Sequence, residues 1–342
     1  MIFPDNVMHD FPLCELNTFH MDVSARAYIA VTGIDELEGI CRHETLAHMP
    51  KLVIGGGSNL LLTGYVDKLV LHMQMKGIFR EGEDDEYVYL RAAAGERWQD
   101  LVDRCLANGL GGLENLAGIP GTVGAAPVQN IGAYGAELKD CFFSLRAFDF
   151  ASGKLVEMNR NDCRFSYRDS IFKHEMKDRL VIVDVTFALP KRWTPNIAYG
   201  DVARELEKSG ISRPSPADIG GVIVKIRRSK LPNPAVLGNA GSFFKNPTVT
   251  AEEMASLKRL HPDIPAYEQA DGRYRIAAGW LIDRCGWKGR RIGDAGVCET
   301  QALVLVNHGR ATGAEMVELA GAIEQDVMAR FGIRLEPEPV FV

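Results

Sequence analysis

No stretch of the chain approaches the roughly 18 consecutive apolar residues of a membrane-spanning helix, and the opening MIFPDNVMHDF has no basic segment followed by an apolar run. The expectation is a cytoplasmic protein with neither export signal nor membrane anchor. Positive charge is scarce: 39 Lys and Arg stand against 45 Asp and Glu, a formal net charge of −6. That leaves no basic surface for a phosphate backbone, so nucleic acid is not an expected partner. The seven cysteines, Cys14, Cys41, Cys105, Cys141, Cys163, Cys285 and Cys298, are scattered, odd in number and never in a CxxC pair. They read as reduced thiols. Neither HExxH nor a clustered Cys/His set occurs, so no metal is expected. The motif GxxxxGK(S/T) is missing too, which excludes a P-loop nucleotidase.

What remains is an ordinary globular composition, 342 residues with 46% hydrophobic and 25% charged. Two or three domains follow from that length. From Arg26 to His72 the pattern is a small β-α-β-β unit, with strands at 27–31, 51–54 and 68–72 and a helix after Gly33. Tyr87 to Ala93 reads as a further strand. Trp98, Leu101, Val102, Cys105 and Leu106 then repeat with helical spacing. Strand-like runs at 142–149, 154–158 and 180–189 make the middle region partly antiparallel. At SRPSP, Ser212 to Pro216, a helix begins with Ser215 as its cap and Pro216 in its first turn. A domain boundary is placed there. Thr250 to Glu253 and Thr312 to Glu315 are capping boxes, and Ile333 to Val342 is a terminal strand that Pro337 and Pro339 confine to an edge or bulge.

Two glycine-rich segments interrupt this pattern. In KLVIGGGSNLLL, Lys51 to Leu62, a strand runs into Gly55, Gly56 and Gly57, then Ser58 and Asn59. Glycines there permit positive φ and close approach of backbone N–H groups to an anion, although a plain tight turn also fits. A Rossmann fingerprint is excluded, because Leu60 stands where its third glycine belongs. The second segment is GGLENLAGIPGTVGAAPVQNIGAYG, Gly111 to Gly135. Its glycines are mixed with apolar residues, which suits a backbone-rich wall against a flat ligand better than a linker.

These motifs occur in order with NTF (Asn17 to Phe19), YRDSIFK (Tyr167 to Lys173), YGD (Tyr199 to Asp201), KLPNP, GNAGSFFKNP (Gly238 to Pro247), AAGWLID, QALVLVN and LEPE. Over nearly its whole length the chain resembles the UDP-N-acetylenolpyruvoylglucosamine reductase family, in the subclass with a tyrosine loop. The resemblance implies an α+β fold with FAD-binding subdomains of the vanillyl-alcohol oxidase-like type. Residues 1–76, completed by 331–342, and 77–213 would be the two FAD-binding subdomains, and 214–330 the substrate-binding domain. It implies non-covalent FAD, with NADPH as co-substrate, in a monomer. None of the eight histidines lies in either glycine segment to tether a flavin.

The resemblance also assigns residues. Gly55, Gly56, Gly57, Ser58, Asn59, Ile119, Pro120, Gly121, Gly124, Ala125 and Gly132 would bind the cofactor. Tyr134, Tyr199, Arg227, Lys230, Asn246 and Gln301 would bind substrate. Arg168, Glu338 and Ser242 would be catalytic. Each has a plainer reading. Arg168 suits an ion pair with Asp169, Glu336 competes with Glu338 from two residues away, and Ser242 alone suggests a turn or cap. A hydrolase nucleophile is not favoured, since Ala240 and Phe244 replace the glycines of GxSxG. Ala125 and Ala126 stand where relatives often have serines, and Val340 where they often have arginine, so hydroxyl and guanidinium contacts there do not carry over. An FAD oxidase of the same broad fold, with no need for Ser242, and a colourless nucleotide- or sugar-binding protein are the alternatives.

Overall fold

The computed structural model describes residues 6–342. Two compact units divide them. One comprises the described residues up to Phe11, Ala25–Gly57 and Asp67–Ser229; the other comprises Pro12–Ser24, Ser58–Val66 and Lys230–Val342.

In the first unit a four-stranded sheet runs in the order Met8–Pro12, Ser24–Val31, Val66–Met73, Lys51–Ile54, the last pair parallel. Helix Ile34–Arg42 buries Leu37 and Ile40 against its core. A five-stranded antiparallel sheet follows in the order Lys154–Asn159, Phe142–Asp149, Leu180–Pro190, Tyr87–Ala93, Ile78–Glu83. Alternation decides its faces: Val88, Leu90 and Ala92 point inward while Tyr87 is exposed. Helix Trp98–Ala107 presents Trp98, Leu101, Val102 and Cys105 to the same core. The buried Trp98 indole donates to Leu116 O at 2.9 Å, which meets its polar requirement inside an apolar core.

Helix Pro216–Lys230 starts as the sequence predicts. Asp218 N donates to Ser215 Oγ, and Ser215 N donates to the Asp218 carboxylate at 2.8 Å. Its packing departs from the expected boundary near residue 213. Ile219, Val222, Ile223 and Ile226 join the core that contains Trp98, each such burial being worth about 1.5–3 kcal/mol. The helix therefore belongs with the N-terminal unit up to Ser229.

The second unit holds a sheet ordered Gly238–Ser242, Val304–Asn307, Ala295–Val297, Arg291–Ile292, and a smaller one ordered Thr248–Val249, Tyr274–Ile276, Ala266–Glu268. Helices Ala251–Leu260 and Gly313–Phe331 each begin with a reciprocal capping box, at Thr250/Glu253 and Thr312/Glu315. The longer helix stops at Gly332, whose φ of +65° is the left-handed conformation that glycine adopts without strain. The terminal strand is shorter than its sequence suggests. Only Val340–Phe341 is regular, pairing in parallel with Leu60–Leu61; upstream, Pro337 and Pro339 have no N–H to donate to a ladder.

Candidate active site

In the first unit the two glycine segments pack backbone to backbone. A Cβ on Gly55 would lie 2.0 Å from Thr122 Oγ1, and one on Gly56 would lie 3.1 Å from Gly121 Cα. Gly57, Gly118 and Gly121 have φ of +58°, +74° and +115°. The chain on either side is pinned: Gly121 O accepts from Trp98 N, while Val123 N and Gly124 N donate to Glu96 O and Ala94 O. Ile119, Pro120 and Ala125 lie on this same stretch. The Thr122 hydroxyl is buried and makes no hydrogen bond to the described residues. A buried polar atom left in this state marks either strain or a ligand's place. The result is a cradle of closely packed backbone with no room for a side chain at Gly55 or Gly56.

Farther along the segment, Gly132 O accepts from Arg168 Nη2 at 2.6 Å. A Cβ at Gly132 would lie 2.9 Å from Arg168 Nη1, so the guanidinium needs glycine beneath it. Arg168 and Tyr134 are both in the left-handed region, with φ of +55° and +48°. Such backbone is costly for side-chain-bearing residues and gathers at functional sites. The alternative partner, Asp169, has its carboxylate 2.8 Å from His174 Nε2. Arg227 Nε donates to Gly118 O at 3.0 Å. Burial pushes the Arg227 pKa below the usual arginine value; Tyr134 opposes that shift, and the Arg168 charge adds to it. A desolvated Arg227 guanidinium with the Arg168 charge near it favours an anion.

Tyr134 meets Tyr199 edge-on, with ring centroids 5.2 Å apart. Tyr199 sits at the N-terminal boundary of helix Gly200–Lys208. The segment leading to it is stapled down. Asn115, 1% exposed, donates through Nδ2 to both Tyr134 O and Asn196 O at 2.8 and 3.0 Å. The Asn196 amide returns to Gly135 O, and the Trp193 indole donates to Glu114 Oε1.

The second unit gathers the other assigned residues. Ser242 ends strand Gly238–Ser242 and pairs with Val304. Phe243 O, one residue on, accepts from Glu338 N at 2.8 Å. Glu338 O in turn accepts from Asn59 Nδ2 at 3.3 Å, and Asn59 O accepts from Val340 N. Ser58 precedes this link in the chain. Glu336, the competing acid, forms an ion pair with Lys245. Asn246 Oδ1 accepts from Ala278 N at 2.9 Å, satisfying the first turn of helix Ala278–Arg284. Gln301 Oε1 lies against the same helix, 3.2 Å from where a Gly279 Cβ would stand. Lys230 is exposed at the end of helix Pro216–Lys230.

Three residues went unassigned in the sequence. Thr122 lies inside the glycine segment, but only the closed cradle isolates its hydroxyl. Asn115 reads as an ordinary loop amide until its partners Tyr134 and Asn196, distant in sequence, are known. Asn239 binds the nearby Pro232, Leu237 and Gly241 around a register irregularity that only the sheet reveals.

Residues 25–159 match a family model described as an FAD binding domain. The chain is an FAD-dependent oxidoreductase with a C-terminal part of its own kind. That part, residues 233–342, matches the model described as UDP-N-acetylenolpyruvoylglucosamine reductase, C-terminal domain. Proteins named UDP-N-acetylenolpyruvoylglucosamine reductase from Paraburkholderia phymatum and Paraburkholderia phytofirmans are 55% and 53% identical to this chain. The alignments span 97% and 96% of this chain and 96% of each relative. The chain belongs to the UDP-N-acetylenolpyruvoylglucosamine reductase family. The crystal structure of the reductase from Thermus caldophilus shares the fold, with a TM-score of 0.68 at 23% identity over 98% of this chain and 97% of that one.

Proposed function

We propose that the enzyme reduces UDP-N-acetylglucosamine enolpyruvate to UDP-N-acetylmuramate, a precursor of peptidoglycan, using NADPH. The observation that carries the chemistry is the bond from Glu338 N to Phe243 O, which ties the candidate acid to the chain neighbour of Ser242.

The residues present fit FAD. Gly55, Gly56, Gly57, Gly121 and Gly124 keep the backbone of the cradle bare, with no room for a side chain at Gly55, Gly56 or Gly124. Ser58, Asn59, Ile119, Pro120, Ala125 and Gly132 flank it, and the Thr122 hydroxyl supplies an uncommitted buried group. Bound without a covalent link, FAD supplies hydride transfer from NADPH to the terminal alkene carbon of the substrate.

The protein has two further tasks. Negative charge develops at the adjacent carbon and its carboxylate, and must be stabilised; that carbon must then receive a proton. Arg168 offers a permanently charged planar fork for the carboxylate, and Glu338 acts in the enolate-stabilising or proton-carrying network. Ser242 Oγ gives its proton to the carbon, and the resulting alkoxide regains one from solvent. Hydride plus proton completes the reduction of the double bond. Tyr134, Tyr199, Arg227 and Lys230 bind the UDP-sugar, a role supported for Arg227 by its desolvated charge beside Arg168. Asn246 and Gln301 shape the wall at helix Ala278–Arg284. The enzyme works as a cytoplasmic monomer. All seven cysteines are free thiols, as a reducing compartment maintains them, and among the described residues no helix is long and apolar enough to cross a membrane.

The test is anaerobic reduction by NADPH, followed by addition of the enolpyruvyl substrate. Flavin colour should bleach and then return only on that addition. Return of colour with oxygen alone, or with an alcohol, would favour an oxidase instead. For Ser242→Ala, bleaching should proceed normally while the return slows by roughly 10²-fold or more.

A further inference from the structure

The register around Ser242 contains one residue too many. Strand Gly238–Ser242 pairs antiparallel with Val304–Asn307, Gly238 facing Asn307 and Asn239 facing Val306; the next pair is Ser242 with Val304. In an unbroken ladder Gly241 would face Val304. The extra residue is a β-bulge, and it moves Ser242 by one position in the side-chain alternation. Since successive residues point to opposite faces of a sheet, a one-residue slip turns a side chain to the other face. Beyond the bulge the backbone is held again, with Phe243 N donating to Leu303 O at 2.7 Å and Phe243 O accepting from Glu338 N.

One side chain spans the irregularity. Asn239 is 4% exposed, and its Oδ1 accepts from Gly241 N at 2.9 Å. Its Nδ2 donates to Leu237 O at 2.8 Å and to Pro232 O at 3.2 Å, in the loop that follows Lys230. Its backbone N–H donates to Thr18 O at 2.9 Å. Gly241 has φ of +71° with nothing within 4 Å of a Cβ, so glycine is needed there for conformation and not for space. We propose that Asn239 is a positioning residue for the proton transfer: its amide clamps the bulge that decides the face toward which Ser242 points. The proposal rests on the reading of Ser242 as proton donor.

The test is a double-mutant cycle on the FAD-loaded enzyme, with the two half-reactions followed separately by stopped flow. Asn239→Ala should leave flavin reduction by NADPH within about twofold and slow reoxidation by the enolpyruvyl substrate by roughly 10- to 100-fold. The solvent deuterium isotope effect on reoxidation should rise as protonation becomes the slower event. In the Ser242→Ala background the same substitution should change reoxidation less than about twofold, because the group it aims is gone. Equal slowing with and without Ser242, or equal slowing of both half-reactions, overturns the role of Asn239 alone. No effect of Ser242→Ala on reoxidation overturns the proton-donor reading and the proposal with it. If Asn239→Ala fails to fold, Gly241 gives the same answer. Gly241→Asn and Gly241→Val both add side chain into open space, but only Asn readily enters the left-handed region. Reoxidation in Gly241→Asn should be about tenfold faster than in Gly241→Val; equal rates overturn the proposal.

Discussion

Glu338 donates its backbone N–H to Phe243 O at 2.8 Å, across the isolated bridge between Phe244 and Pro337. Two motifs separated by nearly a hundred residues of sequence are thereby joined, and the bond uses no side chain. Glu338→Gln should keep it, so the melting temperature should stay within a few degrees, while substrate-driven flavin reoxidation slows by about 10²-fold. Glu336→Gln removes an exposed ion pair with Lys245, worth about 0–1 kcal/mol, and should change reoxidation less than about threefold. Stopped-flow traces of both variants check the assignment; a larger loss from Glu336 would exchange the two roles.

Gly55→Ala tests the cradle. Its Cβ would meet Thr122 Oγ1 at 2.0 Å and Thr122 Cβ at 3.2 Å. Thr122 is β-branched and its hydroxyl is buried, so it has little freedom to withdraw. The two glycine segments would part, and the purified protein should carry less flavin by about tenfold or more, measured as the ratio of visible to ultraviolet absorbance. Gly64→Ala is the control, with nothing within 4 Å of its Cβ; it should keep full colour.

Asn115→Ala tests the staple beneath the tyrosine pair. It leaves the carbonyls of Tyr134 and Asn196 without their shared donor, at a cost of about 1–3 kcal/mol where they stay dry. Tyr134 would no longer be held in its left-handed conformation at its contact with Tyr199. KM for the UDP-sugar should rise by about tenfold, with NADPH-driven flavin reduction little changed. Steady-state kinetics alongside single-turnover reduction separate the two effects.

Asp149 supplies a pH dependence with a definite sign. Arg179 holds its carboxylate through two bonds of 2.9 Å, and Ala151 N and Ser152 Oγ add two more. The Arg179 bond, ahead of the others, pulls the Asp149 pKa well below the ordinary carboxylate range against the effect of burial. A depressed folded-state pKa stabilises the fold above the unfolded value of about 4. That stability fades as pH falls below about 4 toward the folded value. Asp149→Asn should therefore cost about 2 kcal/mol at neutral pH and flatten the acid limb of the stability curve, measured by urea unfolding at pH 7 and pH 3.

Local features of this protein are legible in its sequence. Strands Lys51–Ile54, Tyr87–Ala93 and Phe142–Asp149 fall at their expected bounds, because alternation and β-branched residues act within a few positions. The capping boxes at Thr250 and Thr312 pair as their spacing requires, and the ordered motifs identified the family. Those signals concern near neighbours, or chemistry that a motif carries intact.

Tertiary structure alone decided the rest. Helix Pro216–Lys230 joins the Trp98 core and not the C-terminal unit, since an apolar stripe specifies burial but not its partner. The Thr122 hydroxyl is isolated only when Gly55 closes against it. The face of Ser242 depends on an extra residue in a ladder whose other strand lies some sixty positions away. A hydrogen-bond partner distant along the chain leaves no periodic trace in the sequence, and folding is what brings it within reach.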